Sequence, residues 1–267
     1  MRLFISSDIE GTAGIVHWDE TDYDRGGRWY DYFRAQMSRE VAAACRGAFE
    51  GGAEAVRVKD AHDSARNIIP LELPRGVTIQ RGWSGHPFSM VDGLDEGFDA
   101  LAFTGYHSPS HGNGNPLAHT MSTTLDEVTI NGQRASEFTI HSYIAAMLHI
   151  PVIFISGDAA LCELAKEFVP GITTVATNTG KGSSAVSLHP DEAPALISEG
   201  VKAAVKKGGK DCFINLPEHF ITTVKYSTHT KAYKNSFYPG AEAVNEKTIR
   251  FESDSYMDIL RFYHFVL

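Results

Sequence analysis

Short apolar runs recur along the chain, and each ends at a glycine or a polar break. The first spans the opening residues, where Phe4 and Ile5 read as a buried strand that gives way to a loop at Gly11. Residues 54–58, 77–80, 100–104, 151–155 and 172–176 carry the same signature. Between them, apolar positions fall at helical spacing. One helix is predicted over about 28–49, with Val41, Ala44, Cys45 and Ala48 on one face and Gly51-Gly52 as its stop. Others are predicted over about 136–149, 159–168 and 191–207. Strands separated by helices imply an α/β fold, a mostly parallel sheet with helices on both faces. Residues 128–130 turn through Asn131-Gly132, a strong hairpin signal. From residue 211 the pattern changes: 212–216, 222–226 and 248–251 read as extended segments without helices between them, before a closing helix. The expected division is an α/β domain over 1–208 and a smaller α+β subdomain over 209–267 packed on it.

The ends of the predicted strands carry the candidate chemistry. Asp8 and Glu10 follow the first strand, His62 the second, and His107 the run over 100–104. Residues two apart on an extended backbone point the same way, so Asp8 and Glu10 project together. Two anions held that close repel unless a proton or cation lies between them. In open α/β sheets the carboxyl ends of the strands form the ligand crevice, where these four side chains can converge. Glu137 opens the helix after the hairpin. Carboxylates with imidazoles suit zinc, and five such ligands suit two metals with one bridging carboxylate, an arrangement for metal-assisted hydrolysis. The competing reading is of solvated strand ends whose histidines are satisfied by backbone carbonyls.

Composition removes several classes. The 267 residues can bury a full core. Lys+Arg of 24 against Asp+Glu of 33 gives a net charge of −9, which argues against nucleic-acid or anionic-membrane partners. Cys45, Cys162 and Cys212 are scattered without zinc-finger or Cys-x-x-Cys spacing, so buried reduced thiols are expected. The opening residues enter a strand without a signal-peptide pattern, and no run reaches the roughly 20 apolar residues of a membrane span. A cytoplasmic location is the expectation. No Gly-x-Ser-x-Gly elbow occurs.

Several blocks resemble the M55 family, zinc D-aminopeptidases of the dipeptide-transport-associated type. They are Ser7-Asp8-Ile9-Glu10-Gly11, Asp60-Ala61-His62, Pro87-Phe88-Ser89-Met90, Gly105-Tyr106-His107, His119-Thr120-Met121, the Ile130-Asn131-Gly132 hairpin leading to Glu137, and Ser156-Gly157-Asp158. They run in family order to about residue 190. The resemblance implies a binuclear zinc site, with two zinc ions per subunit. Asp8 would bridge them, Glu10 and Glu137 would complete one site, and His62 and His107 the other. His119 matches a family histidine assigned to catalysis, as general acid/base or nucleophile. The implied reaction is removal of the N-terminal residue, D-amino acids included, from short peptides or amino-acid amides by a metal-activated hydroxide. A ring-shaped homo-oligomer is implied in the same way. The rivals are a related metal-dependent amidase or esterase and a non-catalytic oligomeric peptide-binding scaffold; the intact ligand set argues against the scaffold.

The chain departs from the family wording in places. Ala61 stands where a serine commonly precedes the histidine, and the loop over 108–118 carries its own glycines, asparagines and His111. His141 lies four residues after Glu137, on the same helical face, and reads as an ordinary helix histidine before a partner to a ligand. Of Asp60 and Asp63, one can orient the His62 imidazole. Asp158 reads as a helix cap. Gly180-Lys181-Gly182-Ser183-Ser184 lacks Walker spacing, though Lys181 remains a candidate contact for a substrate carboxylate.

Overall fold

The computed structural model describes residues 1–267, Gly26 by its backbone alone. In chain order the elements are β1 (Arg2–Ser7), α1 (Tyr23–Gly26), α2 (Arg28–Gly51), β2 (Ala55–Asp60), β3 (Val77–Gln80), β4 (Ala100–Tyr106), β5 (Leu125–Ile130) and β6 (Gln133–Arg134). They continue as α3 (Glu137–Met147), β7 (Val152–Asp158), α4 (Ala159–Phe168), β8 (Thr173–Lys181), β9 (Ser184–Ser187) and α5 (Glu192–Lys207). The chain closes with β10 (Phe220–Tyr226), α6 (His229–Asn235), β11 (Glu242–Ala243), β12 (Thr248–Ser253) and α7 (Tyr256–Val266).

The larger sheet has seven strands in the order β3-β2-β1-β4-β7-β8-β9, parallel except for β9. Its central strands are mostly apolar because both faces are covered: every residue of β4 and β7 is buried. The chain leaves β1 through α2 toward β2, then returns to β4 and runs the other way through α3 and α4 to β8. Right-handed crossovers therefore place α2 on one face and α3 and α4 on the other, and α5 packs against α2. The strand order reverses between β1 and β4, so their carboxyl ends open the crevice where such sheets bind ligands.

Two glycines allow the close approach at that point. A Cβ on Gly11 would lie 1.9 Å from the Tyr106 carbonyl oxygen, and one on Gly105 would lie 2.2 Å from that of Asp8. Gly105 also has a φ of +69°. The Asp8 N–H donates to the Thr104 carbonyl and the Gly11 N–H to the Gly105 carbonyl, each at 2.8 Å. The turn carrying Asp8 and Glu10 is thereby locked to the end of β4.

The smaller sheet is antiparallel, in the order β11-β12-β10-β5-β6. It joins the Leu125–Ile130 hairpin strand to the C-terminal segment, and β10 alternates strictly between buried and half-buried positions. Asn131 and Gly132 take positive φ of 49° and 76°, as a tight hairpin turn requires. The expected strand over 212–216 does not form. β7 is already paired on both edges, by β4 and β8, and the segment makes one ladder-like contact, from the Val152 N–H to the Cys212 carbonyl at 3.0 Å. The glycine-serine stretch over 180–184 is the turn of the β8–β9 hairpin, and Lys181 is exposed at its tip.

Candidate metal centre

The four strand-end residues and Glu137 converge. Asp8 lies just beyond β1, where its N–H bonds the Thr104 carbonyl, and Glu10 follows in a turn closed by the Thr12 N–H on the Ile9 carbonyl at 2.9 Å. His62 follows β2, His107 follows β4, and Glu137 is the first residue of α3. All five are buried. His62 Nδ1 is 3.2 Å from Asp8 Oδ1 and 3.1 Å from Glu10 Oε2. His107 Nε2 is 3.5 Å from Asp8 Oδ2 and 3.7 Å from Glu137 Oε2. Donors about 2.0–2.2 Å from a tetrahedral zinc stand roughly 3.3–3.6 Å apart, within about 0.2 Å of each of these pairs.

Asp8 belongs to two groups whose donor atoms lie within 4.8 Å of one another, one with Glu10 and His62, the other with His107 and Glu137. These groups pair the residues differently from the expected partition, which placed Glu10 with Glu137 and His62 with His107. β1 and β2 are adjacent, which brings His62 beside Glu10; α3 packs at β4, which brings Glu137 beside His107. A third group within the same spacing joins Glu10, His107 and His119.

Each histidine ring is fixed by a backbone carbonyl on one nitrogen and leaves the other for the cluster. His62 Nε2 donates to Thr21 O at 2.8 Å, His107 Nδ1 to Ser108 O at 2.9 Å, and His119 Nδ1 to Leu117 O at 2.9 Å. This fixes the tautomer as metal-ligating histidines are commonly fixed. The carbonyl bonds match the competing reading of the strand-end histidines for one nitrogen of each ring, while the other nitrogen faces the carboxylates.

The cluster is electrostatically incomplete by itself. Burial and the Glu10 charge push the Asp8 carboxyl well above the usual carboxylate range. Burial opposes the charges of Glu10 and Glu137, yet His62 and His107 respectively hold them down, Glu137 at about 2. Burial likewise opposes imidazolium formation at His62 and His107, but the carboxylates outweigh it and raise both. Asp8 Oδ2, Glu10 Oε2 and His107 Nε2 are buried without a hydrogen-bond partner. Burying a carboxylate costs several kcal/mol unless pairing is complete, so two orphaned carboxylate oxygens and an imidazole nitrogen at one point fit a cation held among them.

His119 stands at the rim. Its Nε2 is 3.6 Å from Glu137 Oε1, and its ring stacks on His107 at 4.4 Å and meets the edge of Trp18 at 5.3 Å. Burial and the neighbouring His107 lower its pKa, leaving it neutral with an Nε2 lone pair toward the cluster. The rim residues Asp63, Ser89 and Met121 are non-glycines with positive φ, and the Met121 N–H donates to Glu137 Oε1 at 2.7 Å. Such strained backbone concentrates at functional sites. A cleft of about 460 Å³ opens above Asp8, Glu10, His62, His119 and Glu137.

Other singled-out residues separate cleanly. Asp60 does not touch His62; it accepts from the Asn67 and Ile68 N–H groups and from Asn67 Nδ2, and Asn67 in turn donates to His62 O. Asp63 lines the cleft. Asp158 caps α4 through the Leu161 N–H and also accepts from the Ser108 N–H and hydroxyl at 2.6 Å, bracing the residue after His107. His141 hydrogen-bonds the Glu137 carbonyl at 2.6 Å, not its carboxylate, and burial lowers it to about 4. His111 is exposed in its turn. The three cysteines are buried and unpaired, and burial raises Cys45 and Cys162 to about 12. The carbonyls of Thr21 and Leu117 and the Met121 amide escaped sequence reasoning, because a backbone group carries no residue-type signal. Trp18 escaped it as one aromatic among many.

Buried carboxylates and imidazoles that can hold a cation, at the floor of a cleft roomy enough for a short peptide, fit a metallohydrolase. A family model described as Peptidase_M55, D-aminopeptidase, matches residues 1–265, and the chain belongs to that family. The match extends through the C-terminal third, beyond the motifs that end near residue 190. A D-aminopeptidase of Bacillus subtilis (strain 168) is 29% identical over 260 residues, covering 97% of this chain and 93% of that protein. The solved structure described as the zinc-dependent D-aminopeptidase DppA from Bacillus subtilis, a self-compartmentalizing protease, superposes with a TM-score of 0.90 at 26% identity, over 98% of this chain and 95% of that one. The protein is thus an enzyme, a metallopeptidase of the aminopeptidase type. Among the described residues no helix is long and apolar enough to cross a membrane.

Proposed function

We propose that this chain is a binuclear zinc aminopeptidase that removes the N-terminal residue, D-residues included, from short peptides or amino-acid amides. The single observation that carries this reading is Asp8, a buried carboxylate common to two three-residue donor groups with its Oδ2 unpartnered. Glu10 and His62 would hold one ion with Asp8, and His107 and Glu137 the other. The mixed nitrogen and oxygen donors fit zinc. Zinc bound there supplies Lewis acidity, activating a water and polarising the scissile carbonyl.

The remaining work falls to the chain. His119 Nε2, unprotonated and facing the cluster, accepts a proton from the attacking water and delivers it to the leaving amine, a role worth about two to four decades in rate. The Leu117 carbonyl holds its ring in the tautomer that this requires. Glu137 touches both His107 and His119, so binding and proton transfer share one carboxylate.

The structural neighbour is described as self-compartmentalizing, and we extend a homo-oligomer to this chain. Tyr233, Phe237 and Phe265 are each 70% exposed or more, apolar surface of the kind that copies of a chain bury. The test of the catalytic reading is hydrolysis of D-alanyl and L-alanyl para-nitroanilide before chelation, after it, and after zinc is restored. Chelator-sensitive, zinc-restored cleavage with D preference is expected. Activity indifferent to chelation would overturn the reading.

A further inference from the structure

Two indoles line the cleft. Trp18 is accounted for by its packing on the core and on His119. Trp83 is not. It is 44% exposed, yet it is held in place from two directions. Its Nε1–H donates to the Asp63 carbonyl at 2.6 Å, one residue beyond His62. The Lys59 ammonium lies 4.3 Å from its ring centroid.

Lys59 is itself unusual. It lies on β2, is fully buried, and donates to the carbonyl of Gly82, the residue before Trp83, at 2.7 Å. A buried ammonium is costly, and an apolar residue is the ordinary occupant of such a strand position. Here the charge is used to fix the Gly82-Trp83 segment and one face of the indole. Because Lys59 is buried, the face it covers is the inner one, and the exposed area lies on the other. An immobilised aromatic face open to a catalytic cleft is a ready surface for an apolar partner.

We propose that Trp83 is a specificity-determining residue whose free indole face receives a large apolar or aromatic side chain of the substrate, next to the scissile bond, with Lys59 as the residue that positions it. This deepens the aminopeptidase reading and rests on it. The substrate class is short peptides bearing such a side chain on one of the two residues flanking the bond. A cationic side chain fits less well despite the acidic rim, because the ring already has an ammonium on its inner face and a second would meet depleted π density and like charge.

The test uses the dipeptides D-Ala-D-Ala, D-Phe-D-Ala, D-Ala-D-Phe and D-Lys-D-Ala with the wild type, Trp83→Ala, Trp83→Phe and Lys59→Met. The wild type favours a phenyl group at one of the two positions. In Trp83→Ala the ratio of kcat/KM for that dipeptide over D-Ala-D-Ala falls about tenfold, through KM, and Trp83→Phe restores most of it. Lys59→Met lowers the same ratio, again through KM. A ratio that Trp83→Ala leaves within twofold of the wild type, or a Trp83-dependent preference for D-Lys-D-Ala over the phenyl dipeptides, overturns the proposal. Affinities of the same dipeptides, measured by calorimetry, separate the two levels of inference. Trp83-dependent binding of a phenyl dipeptide that is never cleaved sinks the peptidase reading and leaves Trp83 as a side-chain binding site alone.

Discussion

The two sheets handle buried polarity in opposite ways. In the antiparallel sheet each buried polar group is answered within the chain: the Thr222 hydroxyl donates to Thr129 O at 2.8 Å and pairs with the Tyr263 hydroxyl, Tyr226 donates to Val266 O, and Tyr256 donates to Ile140 O. At the carboxyl ends of β1 and β4 the reverse holds, with carboxylate and imidazole atoms left over. Among the described residues every unpartnered buried side-chain N or O atom lies at or before Asn178. Both regions bury polar atoms to a similar depth, so burial alone does not mark function. The mark is demand that the chain does not meet.

Four substitutions can break or sharpen this contrast. The largest effect is expected at Asp8, the carboxylate common to both donor groups. Asp8→Ala should lower kcat by about a thousandfold or more, roughly 4 kcal/mol of barrier, as read by steady-state kinetics. His119→Ala should cost about a hundred- to ten-thousandfold in kcat while leaving bound zinc unchanged by elemental analysis. Loss of zinc there would make His119 a ligand instead.

Glu40 tests an orphan away from the cleft. One oxygen accepts from the Ala13 N–H and Gln36, the other has no partner, and burial raises the carboxyl to about 7 from an ordinary 4.5. The fold binds this proton more tightly than the unfolded chain. Its stabilisation is therefore complete below about pH 4.5 and lost as pH rises through 7, on the order of 3 kcal/mol. Denaturant melts at pH 5 and pH 8 should show that slope in the wild type and not in Glu40→Gln. The smallest effect is expected in the antiparallel sheet. Thr222→Val should cost about 1–3 kcal/mol of stability, because the Tyr263 hydroxyl and the Thr129 carbonyl lose that partner, with kcat within twofold of the wild type.

Much of this contrast was legible in the sequence, and the rest was not for identifiable reasons. The strand ends Asp8, Glu10, His62 and His107 could be read because period and turn residues mark where a buried strand stops, and the crevice of an α/β sheet lies there. Their division between two groups could not, because it depends on which strands are neighbours. The strand over 212–216 was expected from its apolar residues and fails because no free edge is left for it on β7. The smaller sheet was legible in its C-terminal strands, but the recruitment of Leu125–Ile130 to it is a long-range pairing that local pattern does not carry. The role of Lys59 was invisible for the same reason, since its partners Gly82 and Trp83 are over twenty residues away.

The central claim is that Asp8 is shared by two ions, and metal stoichiometry tests it most directly. Elemental analysis should find about two zinc ions per chain in the wild type and one in Glu10→Ala or Glu137→Ala. Asp8→Ala should retain neither at full occupancy. A wild type that holds a single zinc, or an Asp8→Ala variant that still holds two, would contradict the account.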